Sequence, residues 1–184
     1  MSEELVLRAR GGDHAAFERL AAGSIDRLYA IAARILRDRA AADDAVQDCL
    51  LRAWRDLRAL RDPGRWDAWL YRLLLNACRD EQRRVRRRPI TVQIDAIDSL
   101  AQSGTISQIE TRDQLQRGFE RLSTEHRMTL VLHFYAGLRP AEVADVLGIA
   151  EGTVTSRLHY GTRALRAVLE ADMRSATGVA GGAK

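Results

Sequence analysis

The sequence predicts an all-α protein of two small helical domains joined by a linker, the C-terminal domain containing a helix-turn-helix. Three observations carry this. Apolar residues recur three and four positions apart through most of the chain, which is the period of one helix face. From Pro89 that period fades into PITVQIDAIDSLAQSGTISQ, a stretch with few charges and a Ser-Gly pair. Beyond it, residues 137–165 read GLRPAEVADVLGIAEGTVTSRLHYGTRAL, two amphipathic segments joined by a short turn at Gly148. The expected boundaries are 1–88 for the first domain, 89–108 for the linker, 109–172 for the second domain and 173–184 for a frayed tail. A chain of 184 residues, 46% of them hydrophobic, has apolar surface enough for two such cores.

Composition removes several classes of function. No apolar run is long enough to span a bilayer, and the start, MSEELVLRARGGD, lacks the basic-then-apolar order of a signal peptide. The expectation is a cytoplasmic protein without membrane insertion. Cys49 and Cys78 lie far apart inside helical patterns, as buried thiols rather than a disulfide. His14, His126, His133 and His159 lack metal-ligand spacing, and there is neither a phosphate-binding glycine loop nor a nucleophile elbow. No metal, no cofactor and no catalytic residue are therefore expected. Lys and Arg total 29 against 25 for Asp and Glu, a net +4 with a pI near 9.6. Arrangement matters more than this sum: acids gather at 43–48 and arginines at 83–88, so different faces should meet different partners, a polyanion among them.

In chain order, residues 3–10 form a short helix closed by Gly11-Gly12. Asp13 then caps one long helix with Phe17, Leu20, Leu28, Ile31, Ile35 and Leu36 on a single face. After Arg37-Asp38-Arg39 a third helix starts with Asp43 and Asp44 in its first turn, where negative charge favours the helix dipole. Its inner face is Ala42, Val46, Cys49, Leu50, Ala53 and Leu57, and its outer face Asp44, Gln47, Asp48, Leu51, Arg52 and Arg55. That outer strip of acids and an amide beside Leu51 suits a partner's arginines, though charge pattern alone would equally give a solvated face. Pro63-Gly64 marks a turn, and a helix from about Trp66 buries Leu70, Leu73, Leu74 and Ala77 before its arginine-rich end. Trp66, Trp69 and Tyr71 cluster at its start. Aromatics beside a basic groove can stack unpaired bases, although core packing is the plainer reading of Trp69.

The helical period resumes near Ile109, with Leu115, Phe119 and Leu122 on one side. Ser123 caps the next helix, whose Met128, Val131, Leu132 and Tyr135 pack until Gly137. Pro140 suits a first helical position, Gly148 a left-handed turn, and the second segment sets Val154, Leu158, Leu165 and Leu169 inward against Thr155, Ser156 and His159 outward. Ala144 before the turn and Val154 after it imply that the two helices cross closely.

Two stretches carry a family resemblance. LSTEHR, LVLHFY and GL..AEVADVLGI..GTV.SRL look like the C-terminal DNA-binding domain of extracytoplasmic-function (ECF) sigma factors, within the sigma-70 family. DDAVQDCLLRAWRDL resembles that family's polymerase-binding helix. The resemblance implies an alternative, non-catalytic sigma factor whose partners are core RNA polymerase (β′ clamp helices and β flap), promoter DNA and an anti-sigma factor. By it, the polymerase contacts would be Asp43, Asp44, Val46, Gln47, Asp48, Leu51, Arg52, Trp54 and Arg55. The −10 element would meet Asp62, Arg65, Trp66, Trp69, Arg72, Asn76, Arg79, Arg83 and Arg84. The −35 element would meet Arg139, Glu151, Gly152, Thr153, Thr155, Ser156, Arg157, His159, Tyr160 and Arg163. Thr155, Tyr160 and Thr162 stand where the family commonly has basic residues, which implies weak −35 binding without polymerase. Asp48-Cys49 replaces the frequent Glu-Thr or Glu-Ala, a mild change. The second reading is a regulator that binds DNA without joining polymerase, which would leave residues 43–54 unexplained. A helical enzyme would need convergent catalytic groups that the sequence does not display.

Overall fold

The computed structural model describes residues 3–87, 118, 119 and 121–180, and every regular element among them is helical. The expected linker at 89–108, with its possible short element at 92–100, lies outside the described residues, as do Leu115 and the Leu169 side chain.

Helix α1 (Glu3–Arg10) stops at Gly12, whose φ of +98° is open to glycine. Asp13 caps α2 (His14–Ala22) by accepting from the Ala16 N–H at 3.0 Å, while its other oxygen takes Arg8 at 2.7 Å. The long helix expected from Asp13 to Leu36 is in fact two. Gly23 and Ser24 break it, and α3 (Ile25–Leu36) starts afresh. The buried Ser24 hydroxyl donates to Leu20 O at 2.9 Å and its N–H to Ala21 O at 2.9 Å, so the local bonds that a serine offers replace the helical ladder. Arg37 ends α3 in the left-handed region at φ +62°, its N–H on Ala33 O. Asp38 then accepts from the Ala41 N–H at 2.9 Å, so α4 (Arg39–Asp56) begins earlier than expected and Asp43 and Asp44 fall in its second turn. Two 3-10 turns, Leu57–Ala59 and Pro63–Arg65, lead into α5 (Trp66–Arg87).

Helices α3, α4 and α5 pack on one another, with the α1–α2 pair against one end. Leu20, Leu28, Ile31, Ile35, Leu57, Leu70, Leu74 and Leu75 are fully buried, each such side chain supplying roughly 1.5–3 kcal/mol of transfer free energy. Cys49 and Cys78 lie in this core as free thiols.

In the second half, Ser123 caps α6 (Thr124–Leu130), which runs into a π-helical turn, Val131–Tyr135. The wider turn leaves Phe134 67% exposed and Tyr135 45% exposed, where the sequence pattern had packed Tyr135 inward. Tyr135 instead lies under the Arg34 guanidinium, 3.8 Å from the ring centre. Pro140 opens α7 (Pro140–Leu147), Gly148 closes it at φ +68° with its N–H on Ala144 O, and α8 (Glu151–Ala180) follows. The last helix continues through positions assigned to a frayed tail. Val143, Ala144, Val146, Leu147 and Val154 are buried at the close crossing. Gly161 permits a second one: a Cβ there would stand 2.9 Å from Leu130 Cδ1. Buried apolar residues of both halves form one cluster, with α3 and α5 against α6, the π-helical turn and α7.

Candidate nucleic-acid and protein interfaces

On α4, every third or fourth residue goes inward, which sorts the candidate polymerase contacts. Asp43, Asp44, Gln47 and Arg55 are exposed, and Leu51 is 63% exposed among them. Val46 is not on this face: at 5% exposure it belongs to the core beside Cys49, and it can only shape the helix. Trp54 is half-buried, its ring 4.2 Å from His14 and 5.0 Å from Phe17. Arg52 is committed inside the molecule, reaching Asp80 on α5 at 2.9 Å and Asp48 at 2.6 Å. Asp80, then Asp48, hold its guanidinium charged above the ordinary arginine value. The remaining strip is two free acids, an amide and a projecting leucine.

The candidate −10 face is built on α5 and the turn before it. Asp62 accepts from the Gly64 N–H at 2.9 Å and sets the turn that presents Arg65. Trp66 is corrected from base-stacking candidate to core residue: it is 3% exposed, edge-on to Phe17. Trp69, half-buried and 5.7 Å from Trp66, keeps part of its ring at the surface. Arg72 and Asn76 are exposed one turn apart, and Asn76 accepts from Arg79 at 3.1 Å. Arg83 and Arg84 pair within the helix, with Asp80 at 3.7 Å and the buried Glu81 at 2.8 Å.

On α8, Glu151, Gly152, Thr153, Thr155, Ser156, His159, Tyr160 and Arg163 are all exposed along one side, while Val154 turns inward. Thr155, Ser156 and Thr162 each donate their hydroxyl to a carbonyl one turn back. Arg157 is only 22% exposed and pairs with Glu125 of α6 at 3.0 Å. Arg139 stands 81% exposed at the start of α7, forked against Glu142. No group of three or more His, Cys, Asp or Glu able to hold a metal occurs among the described residues. Nor is any helix among them long and apolar enough to cross a membrane.

Sequence reasoning missed Asp80, Glu125, Asp145 and Gly161. The first three bind arginines far away in the chain, which no local pattern announces. Gly161 sits in an unbroken helix and its role appears only with Leu130 beside it.

Each half of the chain is similar to known proteins. The family model for Sigma-70 region 2 matches residues 23–88, and that for Sigma-70, region 4 matches residues 112–166. The chain is 37% identical over 179 residues to the ECF RNA polymerase sigma factor SigL of Mycobacterium tuberculosis, with 92% of each covered. It is 35% identical over 154 residues to SigM of the same organism, covering 84% of this chain and 77% of that one. Among solved structures, CnrH in complex with the cytosolic domain of CnrY superposes with a TM-score of 0.69 at 28% identity, over 92% of this chain and 97% of that one. Two helical halves matched in this order define a sigma-70 factor. The chain belongs to the ECF group of that family, an alternative sigma factor that directs RNA polymerase to promoters and initiates transcription as a non-catalytic specificity subunit.

Proposed function

We propose that polymerase binding, −10 recognition and −35 recognition are divided among three surfaces of this chain. Asp43, Asp44, Gln47, Asp48, Leu51 and Arg55 on α4 grip the β′ clamp helices, Leu51 entering an apolar site while the acids meet cations around it. Asp62, Arg65, Arg72, Asn76, Arg79, Arg83 and Arg84 follow the −10 strand, with Trp69 as the stacking surface. The exposed side of α8, with Arg139, reads the −35 duplex, and the second domain meets the β flap. The working compartment is the cytoplasm, and an anti-sigma protein covers one or more of these surfaces. The observation that carries the polymerase assignment is Leu51, a large apolar side chain 63% exposed in the middle of an acidic strip.

Co-elution with core RNA polymerase tests it. Wild type should co-elute and Asp44→Arg should not, since Asp44 is exposed and its reversal leaves the fold intact. Asp48→Arg should fail too, with some loss of stability, because Asp48 also holds Arg52. Co-elution of Asp44→Arg at wild-type yield would move the grip elsewhere. A wild-type chain that ignores polymerase yet binds duplex DNA would favour the independent regulator.

A further inference from the structure

Charged side chains of alternating sign run in a row from the candidate polymerase face to the candidate −10 face. Asp48 and Arg52 stand one turn apart on α4, and Asp80 and Arg83 one turn apart on α5, the helix packed alongside. One nitrogen in this row is shared: Arg52 Nη2 lies 2.6 Å from Asp48 Oδ2 and 2.9 Å from Asp80 Oδ2. The other oxygen of Asp80 is looser, 3.7 Å from Arg83 Nη1. Arg52 is the most enclosed member at 28% exposed, and Arg83 the most open at 70%. Only the ends of the row, Asp48 and Arg83, are candidate contacts for a partner; Arg52 and Asp80 are spent on each other and on those ends.

From this arrangement we infer that Asp80 is a positioning residue for both interactions: it holds Arg52 when Asp48 is given up to polymerase, and it holds Arg83 back from DNA until then. The inference rests on the assignment of Asp48 to the β′ clamp helices and of Arg83 to the −10 strand. Two carboxylates on one nitrogen repel each other, so each weakens the other's hold on Arg52. Asp48 can therefore leave for a partner's cation without stranding a half-buried charge, because Asp80 stays on the guanidinium. Once Asp48 has gone, Arg52 draws Asp80 more strongly, and the longer contact, that to Arg83, is the one that loosens. Phosphate oxygens compete for the guanidinium donors so released. Binding at either end of the row thus favours binding at the other, as coupling between two sites requires. Without the Asp80 carboxylate the row splits: Arg52 depends on Asp48 alone and retains it, while Arg83 is released in advance. One substitution then moves the two affinities in opposite directions, which a loss of fold does not do.

The test uses the full chain carrying Asp80→Asn; the Asp80 side chain is 46% exposed, so the substitution leaves the core alone. Polymerase affinity is read by competition with dye-labelled wild type for core RNA polymerase, and DNA affinity with a fluorescein-labelled single-stranded 12-mer of randomised sequence. The Kd for core polymerase should rise by about threefold and the Kd for the 12-mer should fall by about threefold, the scale of a partly exposed ion pair. Asp80→Glu keeps the carboxylate and should return both towards wild type. Asp67→Asn makes the same charge change on α5 outside the row, where Asp67 pairs with Arg27, and should move neither. In an Arg52→Gln background, which lacks the group that Asp80 holds, adding Asp80→Asn should no longer weaken polymerase binding. Unchanged affinities in Asp80→Asn, or a fall in both, overturn the positioning role. So do equal shifts in Asp67→Asn, or a polymerase effect that survives Arg52→Gln, because a general change of charge would then account for them. An Arg83→Gln chain that binds the 12-mer as wild type does, or an Asp48→Asn chain that binds polymerase as wild type does, overturns the inference through its premise, since that end of the row would not then be a contact.

Discussion

Asp13 shows how one carboxylate serves two neighbours. The Ala16 N–H, then Arg8, hold its pKa below the ordinary value of 3.8. Arg55 does the same for Asp56, and Arg139 for Glu142. In each case the folded pKa is the lower one, so the stabilisation is complete above about pH 4–4.5 and is lost as pH falls through the folded values. Urea midpoints should therefore fall steadily below pH 4, and Asp13→Asn should fall less steeply. Cys49 and Cys78 have the opposite sign. Burial pushes both thiols up to about 12, with Cys78 adding to the effect on Cys49, so their contribution is complete below about pH 9 and fades in alkali. Neither should react with a maleimide at neutral pH until the chain is unfolded, and rapid labelling of the native protein would contradict this.

At the scale of the helix, much was legible because the determinants are local. Asp13 and Ser123 as caps, Pro140 at a first turn and Gly148 in the left-handed region each act within four residues. What was not legible depends on neighbours distant in sequence. Nothing local says that Ser24 will be buried and bonded to Leu20, or that Arg52 will be taken by Asp80, 28 residues away. Gly161 is the clearest case. Valine there would drive a side chain into Leu130, itself 1% exposed, and should destabilise the second domain by about 1–3 kcal/mol in a urea titration. On the outer side of α8, hydroxyls already bonded to their own helix take the place of cations. Free protein should bind promoter duplex weakly, and each absent phosphate contact should lower the slope of log affinity against log salt by about one. A tight, salt-resistant complex in a filter-binding titration would contradict that account of α8.

For the whole molecule, the order of two helical domains was readable from where periodicity stops and resumes, and the seam between them was not. Arg65 and Asp145 are unremarkable polar residues in their own segments, and only the tertiary fold makes them partners. The continuous apolar cluster across the two halves has a consequence for behaviour in concentrated solution. Any chain that opens offers one unpaired half of the seam on each domain, and a second open chain offers the complementary halves. The same contacts can then be made reciprocally, with each second domain seated on the other copy's first, giving a closed two-fold dimer that needs no new surface. Slow freezing or storage at high concentration would populate such exchanged pairs, and they would return to monomers only as fast as the seam reopens.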